Sequence, residues 1–272
     1  MKPAPFTYHR ARDVAGAVSL LTELGEDAKY IAGGQSLVAM MNFRLARPAH
    51  LVDLGGLRGE LAYIRDDGGV LRLGALTTHH QVENAPLGPG FAVLRDAMGW
   101  IGHLPIRTRG TVGGSLAHGE ATAEWCLLAV LLGAEVVVQG TAGVRRVPAE
   151  ELFLSFFTTA LEPEEMIVEV VFPRPAPHAA LTEFAQRRGD YAIVAAAVDL
   201  EAERVVLGGV APVPLRVPEA EAVLARGGTF AECAAAAAAA IDPPADGSGG
   251  ADYRRALTRT LLVRACEAAM RR

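Results

Sequence analysis

The chain reads as an α+β protein made of two compact units. Its length of 272 residues exceeds one typical domain. The first part alternates helix-like and strand-like hydrophobic periods, whereas the later part runs strand-like segments first and helix-like segments after them. Between the two, Pro173, Pro175 and Pro177 interrupt any regular element and place a boundary near residue 174. An apolar fraction of 51% suffices to fill real cores, which disfavours disorder over most of the chain.

Taken in order, Asp13 is placed to cap a helix whose apolar face is Val14, Ala17, Val18 and Leu21, and Gly25 stops it. Residues 29–32 form a short strand, Gly33 and Gly34 a turn, and residues 36–45 a second helix that Pro48 ends; residues 51–54 are the next strand. Residues 62–65 and 70–74 flank Asp66-Asp67-Gly68-Gly69 and make a hairpin. Short helices follow from Thr77 and over 91–100. The segment 105–115 is rich in Gly and Arg, and 122–132 is a nearly all-apolar helix that must be buried. Strands over 135–139, 144–147 and 166–172 complete the first unit. The second has strands over 181–185, 191–200, 204–210 and 214–217, then helices over 218–225, 230–240 and 253–270. Leu257, Leu261, Ala265 and Ala268 give the last helix one apolar face. Residues 242–250, DPPADGSGG, are a loop.

Composition excludes several function classes. The net charge is −5 and the basic residues are scattered, which argues against a nucleic-acid ligand. No run of about 18 apolar residues occurs, so a membrane-spanning helix is excluded. The N-terminus shows no basic region followed by an apolar core, which predicts a cytoplasmic location. Cys126, Cys233 and Cys266 are far apart in helical, Ala/Leu-rich contexts and read as buried small hydrophobes, not as metal ligands.

Two glycine pairs carry the chemistry. Ala32-Gly33-Gly34-Gln35-Ser36 lies between a strand and a helix, where unpaired backbone N–H groups and the positive helix end converge. Glycine admits a close phosphate and a positive φ. Thr111-Val112-Gly113-Gly114-Ser115 repeats the pattern, with hydroxyls bracketing the pair. A diphosphate clamped from both sides would satisfy both. The fingerprint G-x-G-x-x-G is absent, which disfavours a Rossmann domain.

Three strings, AGGQSLVAMMNFRLARPAHLVDL (32–54), IRTRGTVGGSLAHGEATAE (106–124) and RRGDYAIVAAAV (187–198), resemble in order and spacing the FAD-binding medium subunit of the molybdenum hydroxylases, the carbon monoxide dehydrogenase and xanthine dehydrogenase family. The resemblance spans essentially the whole chain. It implies an α+β fold of the p-cresol methylhydroxylase type: an FAD-binding domain over 1–174 in two subdomains, about 1–56 and 57–174, plus a C-terminal domain over 175–272 of a three-stranded sheet with a helical bundle. It further implies that Ala32, Gly33, Gly34, Gln35, Ser36, Thr111, Gly113, Gly114 and Ser115 hold the FAD diphosphate, that Glu124 accepts from ribityl or ribose hydroxyls, that Ile167 packs near a ring, and that Tyr191 stands near the isoalloxazine. The implied partners are a large molybdopterin-binding subunit and a small [2Fe–2S] subunit, in a heterohexamer built as a dimer of heterotrimers. The chain would relay electrons and carry no catalytic residue of its own.

The sequence departs from the family at Thr108, where Asn is frequent, and at Glu120-Ala121, where Asp-Pro is usual. A family lysine near the flavin has no counterpart, and Arg187 or Arg188 is the candidate to replace its charge. His79 and His80 read as a solvated helix terminus, Glu150-Glu151 and the acidic residues of 162–165 as solvated charge, and His118 as a backbone-bonding side chain. Ser36 lacks the G-x-S-x-G context of a hydrolase nucleophile. Arg107 and Arg109 pin a loop or face a partner. The rival reading is a self-contained flavin oxidoreductase acting directly on a small organic substrate.

Overall fold

Short apolar strands alternating with capped helices build the N-terminal part. In the computed structural model, which describes residues 2–272, β1 (Thr7–Arg10), β2 (Ala28–Ile31) and β3 (His50–Asp53) form a parallel sheet in the order β1-β3-β2. Between β1 and β2 runs α1 (Val14–Leu24). The Gly16 N–H donates to Asp13 Oδ1 at 2.6 Å to cap it, Gly25 at φ 68° ends it, and Ala17, Val18 and Leu21 are buried. Strand β1 is not anticipated by the sequence. Its residues TYHR are mostly exposed, with no apolar alternation to reveal them, and only pairing with β3 orders them. The next helix, α2 (Leu37–Asn42), is shorter than the pattern predicts, because Arg44 turns the chain into positive φ.

After a single turn, α3 (Arg58–Leu61), the hairpin β4 (Ile64–Asp66) and β5 (Leu71–Gly74) forms as predicted. The connection to the next strand is helical: α4 (His79–Glu83), α5 (Ala92–Ala97), α6 (Leu104–Arg107), α7 (Val112–His118) and α8 (Glu124–Leu131). The Gly- and Arg-rich segment therefore contains two short helices, one of them carrying the second glycine pair in its first turn. Next come β6 (Glu135–Gly140), β7 (Gly143–Pro148), the turn α9 (Ala149–Leu152), the small hairpin β8 (Phe153–Ser155) and β9 (Thr158–Thr159), and β10 (Met166–Phe172). Returning to the middle, β10 completes an antiparallel sheet ordered β4-β5-β10-β6-β7.

The C-terminal part begins with an antiparallel sheet, β11 (Ala179–Phe184), β12 (Val194–Asp199), β13 (Arg204–Gly208) and the two-residue edge β14 (Leu215–Arg216). Three long strands thus carry the sheet, and the fourth is the short one that the pattern at 214–217 predicts. Helices α10 (Pro218–Ala225), α11 (Phe230–Ala240) and α12 (Ala251–Met270) cover one face. All six residues of β12 are buried because the sheet is covered on both sides. Val194, Ala196 and Val198 face the helices, whereas Ala195 and Ala197 point the other way into the core around α8. The loop 242–250 is tied down: Arg254 donates to both Asp246 carboxylate oxygens at 2.8 and 2.7 Å and to the carbonyl of Gly209 at 2.8 Å. All three cysteines are buried.

Candidate functional site

A cleft of about 710 Å³ opens where the parallel sheet, the antiparallel sheet and the C-terminal part meet. Its walls contain every one of the residues singled out above: Ala32, Gly33, Gly34, Gln35, Ser36, Thr111, Gly113, Gly114, Ser115, Glu124, Ile167 and Tyr191. Segments far apart in sequence meet there because the loop after β2, the N-terminal turn of α7 and the start of β10 line one opening.

The first glycine loop leaves the carboxyl end of β2. Gly34 needs its φ of 72°, which side chains disfavour. Gly33 is glycine for another reason: a Cβ there would stand 2.0 Å from the Arg109 carbonyl oxygen, so the two loops touch backbone to backbone. Among the described residues, no acceptor takes the N–H groups of Gly33, Gly34, Gln35 and Ser36, which leaves a row of donors on the cleft.

The second loop differs from what the sequence implies. The Gly113 N–H already donates to the Ala75 carbonyl at 2.9 Å and the Gly114 N–H to Thr111 Oγ1 at 3.1 Å, the N-cap of α7. A Cβ on Gly113 would lie 2.6 Å from the Ala75 Cβ, so this glycine lets α7 rest on the end of β5. Donors for a cleft ligand must therefore come on this side from the hydroxyls of Thr111 and Ser115 and not from the glycine amides.

Glu124 opens α8 and is 8% exposed. Burial, then the nearby charge of Glu183, pushes its carboxyl well above the usual range, and burial does the same to Glu183. Ile167 sits at a bulge in β10 and reaches the cleft from the sheet. Tyr191 stands beside Ser36, in the loop before β12 and not inside a strand as the pattern predicts, because β12 starts only at Val194. His118, half-buried at the cleft wall, packs its ring against Phe157 with centroids 4.9 Å apart; burial lowers its pKa.

Several expectations are corrected. His79 is not solvated: it is 5% exposed, and the Trp125 Nε1–H donates to its Nδ1 at 2.9 Å. Burial, followed by the charge of Arg107, holds its pKa down to about 4, so the ring is neutral. The start of α4 is indeed capped, by Thr78 and Gln81 in a reciprocal pair. Glu165 is not free charge either, since Arg145 donates to its carboxylate at 2.6 Å and the Glu162 N–H at 2.8 Å, which lowers its pKa. Arg187 and Arg188 line a second, smaller opening beside the main cleft, which their neighbours Gly189 and Asp190 reach. Arg107 is structural, donating to Glu83 at 3.0 Å and to the Ile101 and Gly102 carbonyls. Glu120 accepts from Thr122, fastening the turn where the family has Asp-Pro. Sequence reasoning missed His79, Phe157, Thr158 and Thr159 as cleft residues; the capping pattern at Thr78 marks only the start of the helix that carries His79, and the other three have no local signal.

The fold and the sequence are both shared with known proteins. Residues 4–175 match the family model described as FAD binding domain in molybdopterin dehydrogenase, and residues 179–269 the CO dehydrogenase flavoprotein C-terminal domain. The chain is 41% identical to the 6-hydroxypseudooxynicotine dehydrogenase complex subunit alpha of Paenarthrobacter nicotinovorans, over all of this chain and 97% of that one. It is 38% identical to the carbon monoxide dehydrogenase medium chain of Afipia carboxidovorans, over 100% and 99% of the two chains. Among solved structures, carbon monoxide dehydrogenase from Hydrogenophaga pseudoflava superposes with a TM-score of 0.93 at 35% identity, covering 100% of this chain and 99% of the other. Quinoline 2-oxidoreductase from Pseudomonas putida 86 gives 0.93 at 33% identity with the same coverage.

Proposed function

The chain belongs to the family of FAD-binding medium subunits of the molybdenum hydroxylases, and we propose that it serves as the electron-transfer subunit of such a complex, passing electrons from [2Fe–2S] clusters of a partner through FAD to an external acceptor. It is an FAD-binding oxidoreductase subunit with the α+β fold of that family. The observation that carries the proposal is the convergence of both glycine loops, Glu124 and Tyr191 on one cleft.

The residues present fit the cofactor. Free N–H groups from Gly33 to Ser36, facing the hydroxyls of Thr111 and Ser115, suit a diphosphate. Glu124 suits the hydroxyls of a ribityl or ribose chain, Ile167 an apolar ring edge, and Tyr191 a second aromatic face. The cleft volume lies within the roughly 300–1,000 Å³ usual for cofactor sites. When bound, FAD supplies the redox chemistry, accepting electrons and releasing them singly or in pairs. The chain's part is to hold the diphosphate, shield the cleft with α8 and β10, and leave one side open to a partner.

On this reading the iron–sulfur and molybdopterin centres belong on a small and a large partner subunit, which the similarity to proteins described as medium chains supports. The family's arrangement supports an FAD-binding unit over 1–174, with subdomains about 1–56 and 57–174, a C-terminal unit over 175–272, and a dimer of heterotrimers in the cytoplasm. No helix among the described residues is long and apolar enough to cross a membrane. The test is co-expression with the genes of the candidate partners. The purified chain should show a flavin spectrum, release its flavin on acid precipitation, and undergo flavin bleaching by an organic substrate only in the complex. Substrate-driven bleaching in the lone chain would establish the self-contained oxidoreductase instead.

A further inference from the structure

His79 turns one ring nitrogen to the protein and the other to the cleft. Its Nδ1 accepts the indole N–H of Trp125 at 2.9 Å. A neutral imidazole that accepts through one nitrogen carries its proton on the other, so Nε2–H is a donor. Nε2 has no hydrogen-bond partner among the described residues and is not sealed off from solvent, and His79 lines the cleft wall with Ile106 and Gly110.

The ring is held firmly. The His79 backbone N–H donates to the Gly110 carbonyl at 3.1 Å, and the ring lies nearly parallel to that of Trp125, with 6.4 Å between centroids and 28° between planes. Gly110 has no side chain because this imidazole occupies the space: a Cβ there would stand 2.6 Å from Nε2. The same glycine meets the first loop, since a Cβ on Gly33 would lie 3.0 Å from the Gly110 Cα. Nε2 therefore stands at the junction of the two glycine loops.

The charges around the cleft show why a neutral donor matters at that junction. Among the residues that line the cleft, Lys29 is the only lysine or arginine and is exposed, whereas Glu124, Glu162, Glu165 and Asp190 contribute acid. A diphosphate there is held chiefly by N–H and O–H groups. We propose that His79 is a further ligand-binding residue of this chain: its Nε2–H donates to a diphosphate oxygen of the flavin nucleotide, and Trp125 is the positioning residue that fixes the tautomer and the ring plane. The inference rests on the flavin reading of the cleft. Burial, followed by the charge of Arg107, keeps the ring neutral, so His79 adds a donor without a buried charge.

The test uses the full chain stripped of flavin. Nitrogen-15 NMR at neutral pH should show a histidine ring protonated on Nε2 and bare at Nδ1, identified by its absence from His79→Gln. Its Nε2–H proton should move downfield on addition of FAD, and equally on addition of ADP, which carries the diphosphate without the flavin. By fluorescence quenching, His79→Phe keeps a ring but has no donor and should bind FAD about tenfold more weakly, whereas His79→Gln, whose amide can both accept from Trp125 and donate to the cleft, should stay within about threefold of wild type. In Trp125→Phe the Nδ1 resonance should shift and FAD affinity should fall about threefold. The wild-type NMR measurement decides the matter even where a variant does not fold. A ring protonated on Nδ1, an Nε2–H unmoved by FAD or by ADP, or equal FAD affinities for the Gln and Phe variants would each overturn the proposal. Failure of the wild type to bind FAD at all would instead overturn the flavin reading, and this inference with it.

Discussion

Gly33 and Gly114 show how similar residues can be glycine for different reasons. At Gly33 the obstacle to a side chain is the Arg109 carbonyl at 2.0 Å; at Gly114 it is only the Thr111 hydroxyl at 2.8 Å, which can turn away. Gly33→Ala should therefore destabilise the flavin-free chain by about 1–3 kcal/mol through forced separation of the two loops. Gly114→Ala should cost closer to ~1 kcal/mol, the worth of a strained N-cap, with a larger relative loss in FAD affinity. Urea unfolding of the flavin-free variants distinguishes them; equal losses would contradict the loop-to-loop contact. His79 carries a pH signature. Its folded pKa, about 4, lies below the unfolded value, so the unfolded chain takes up a proton first and this site's contribution to stability falls as pH drops from the unfolded pKa toward the folded one. Between neutral pH and about pH 5 the wild type should lose about 2 kcal/mol relative to His79→Gln, which keeps an acceptor for Trp125 and does not titrate. Parallel denaturation curves at both pH values would show the histidine to be silent. Nothing near His79 in sequence announces this, because the partner that buries it, Trp125, lies 46 positions away.

At the scale of elements, most of the chain was legible: α1 from its Asp13 cap and Gly25 stop, the β4–β5 hairpin from its Asp-Gly turn, α8 from its unbroken apolar run. What escaped was whatever depends on partners distant in sequence. Strand β1 has no pattern of its own; α7 hides because glycines in a first turn look like loop; the β8–β9 hairpin is held by the pairings of Phe153 with Thr159 and Ser155 with Thr158 alone. The same limit applied to the cleft, where the glycine loops were readable and the committed amides of Gly113 and Gly114 were not. Helix α8 is the element on which the rest depends. All eight of its residues are buried, in a core that joins the antiparallel sheet to Ala195, Ala197 and Val206 of the C-terminal sheet. Leu128→Ala should cost about 2–5 kcal/mol, and differential scanning calorimetry should show the whole chain melting earlier. A shift confined to one part of a split transition would argue against the shared core.

For the whole molecule, the exposed apolar side chains are unevenly placed. Phe43 and Leu45 project after α2 at 64% and 76% exposure, while Leu154, Phe156 and Phe157 stand out at 56% or more on the hairpin beside the cleft. Large apolar surface near the cleft is what a subunit of a complex requires. Isolated, the chain should self-associate with rising concentration in sizing chromatography, and Phe156→Ser should reduce that self-association while lowering co-purification with the partner subunits. A chain that stays monomeric and whose recovery with partners is unaffected by Phe156→Ser would remove the hairpin from the interface.

The double burial of β12 bears on how the cleft comes apart. Amides of β12 and α8 have no route to solvent short of opening the shared core, so they should be the slowest to exchange with deuterium. The parallel sheet, with its exposed edge β1, opens more easily. The cleft thus has a hinge side and a latch side: the wall bearing Glu124 should persist to the last, and the wall bearing Gly33 should loosen first. With the proposed flavin placement, a cofactor leaving such a site should let go of its diphosphate before its hydroxyl chain, and deuterium should reach residues 32–36 well ahead of residues 124–131.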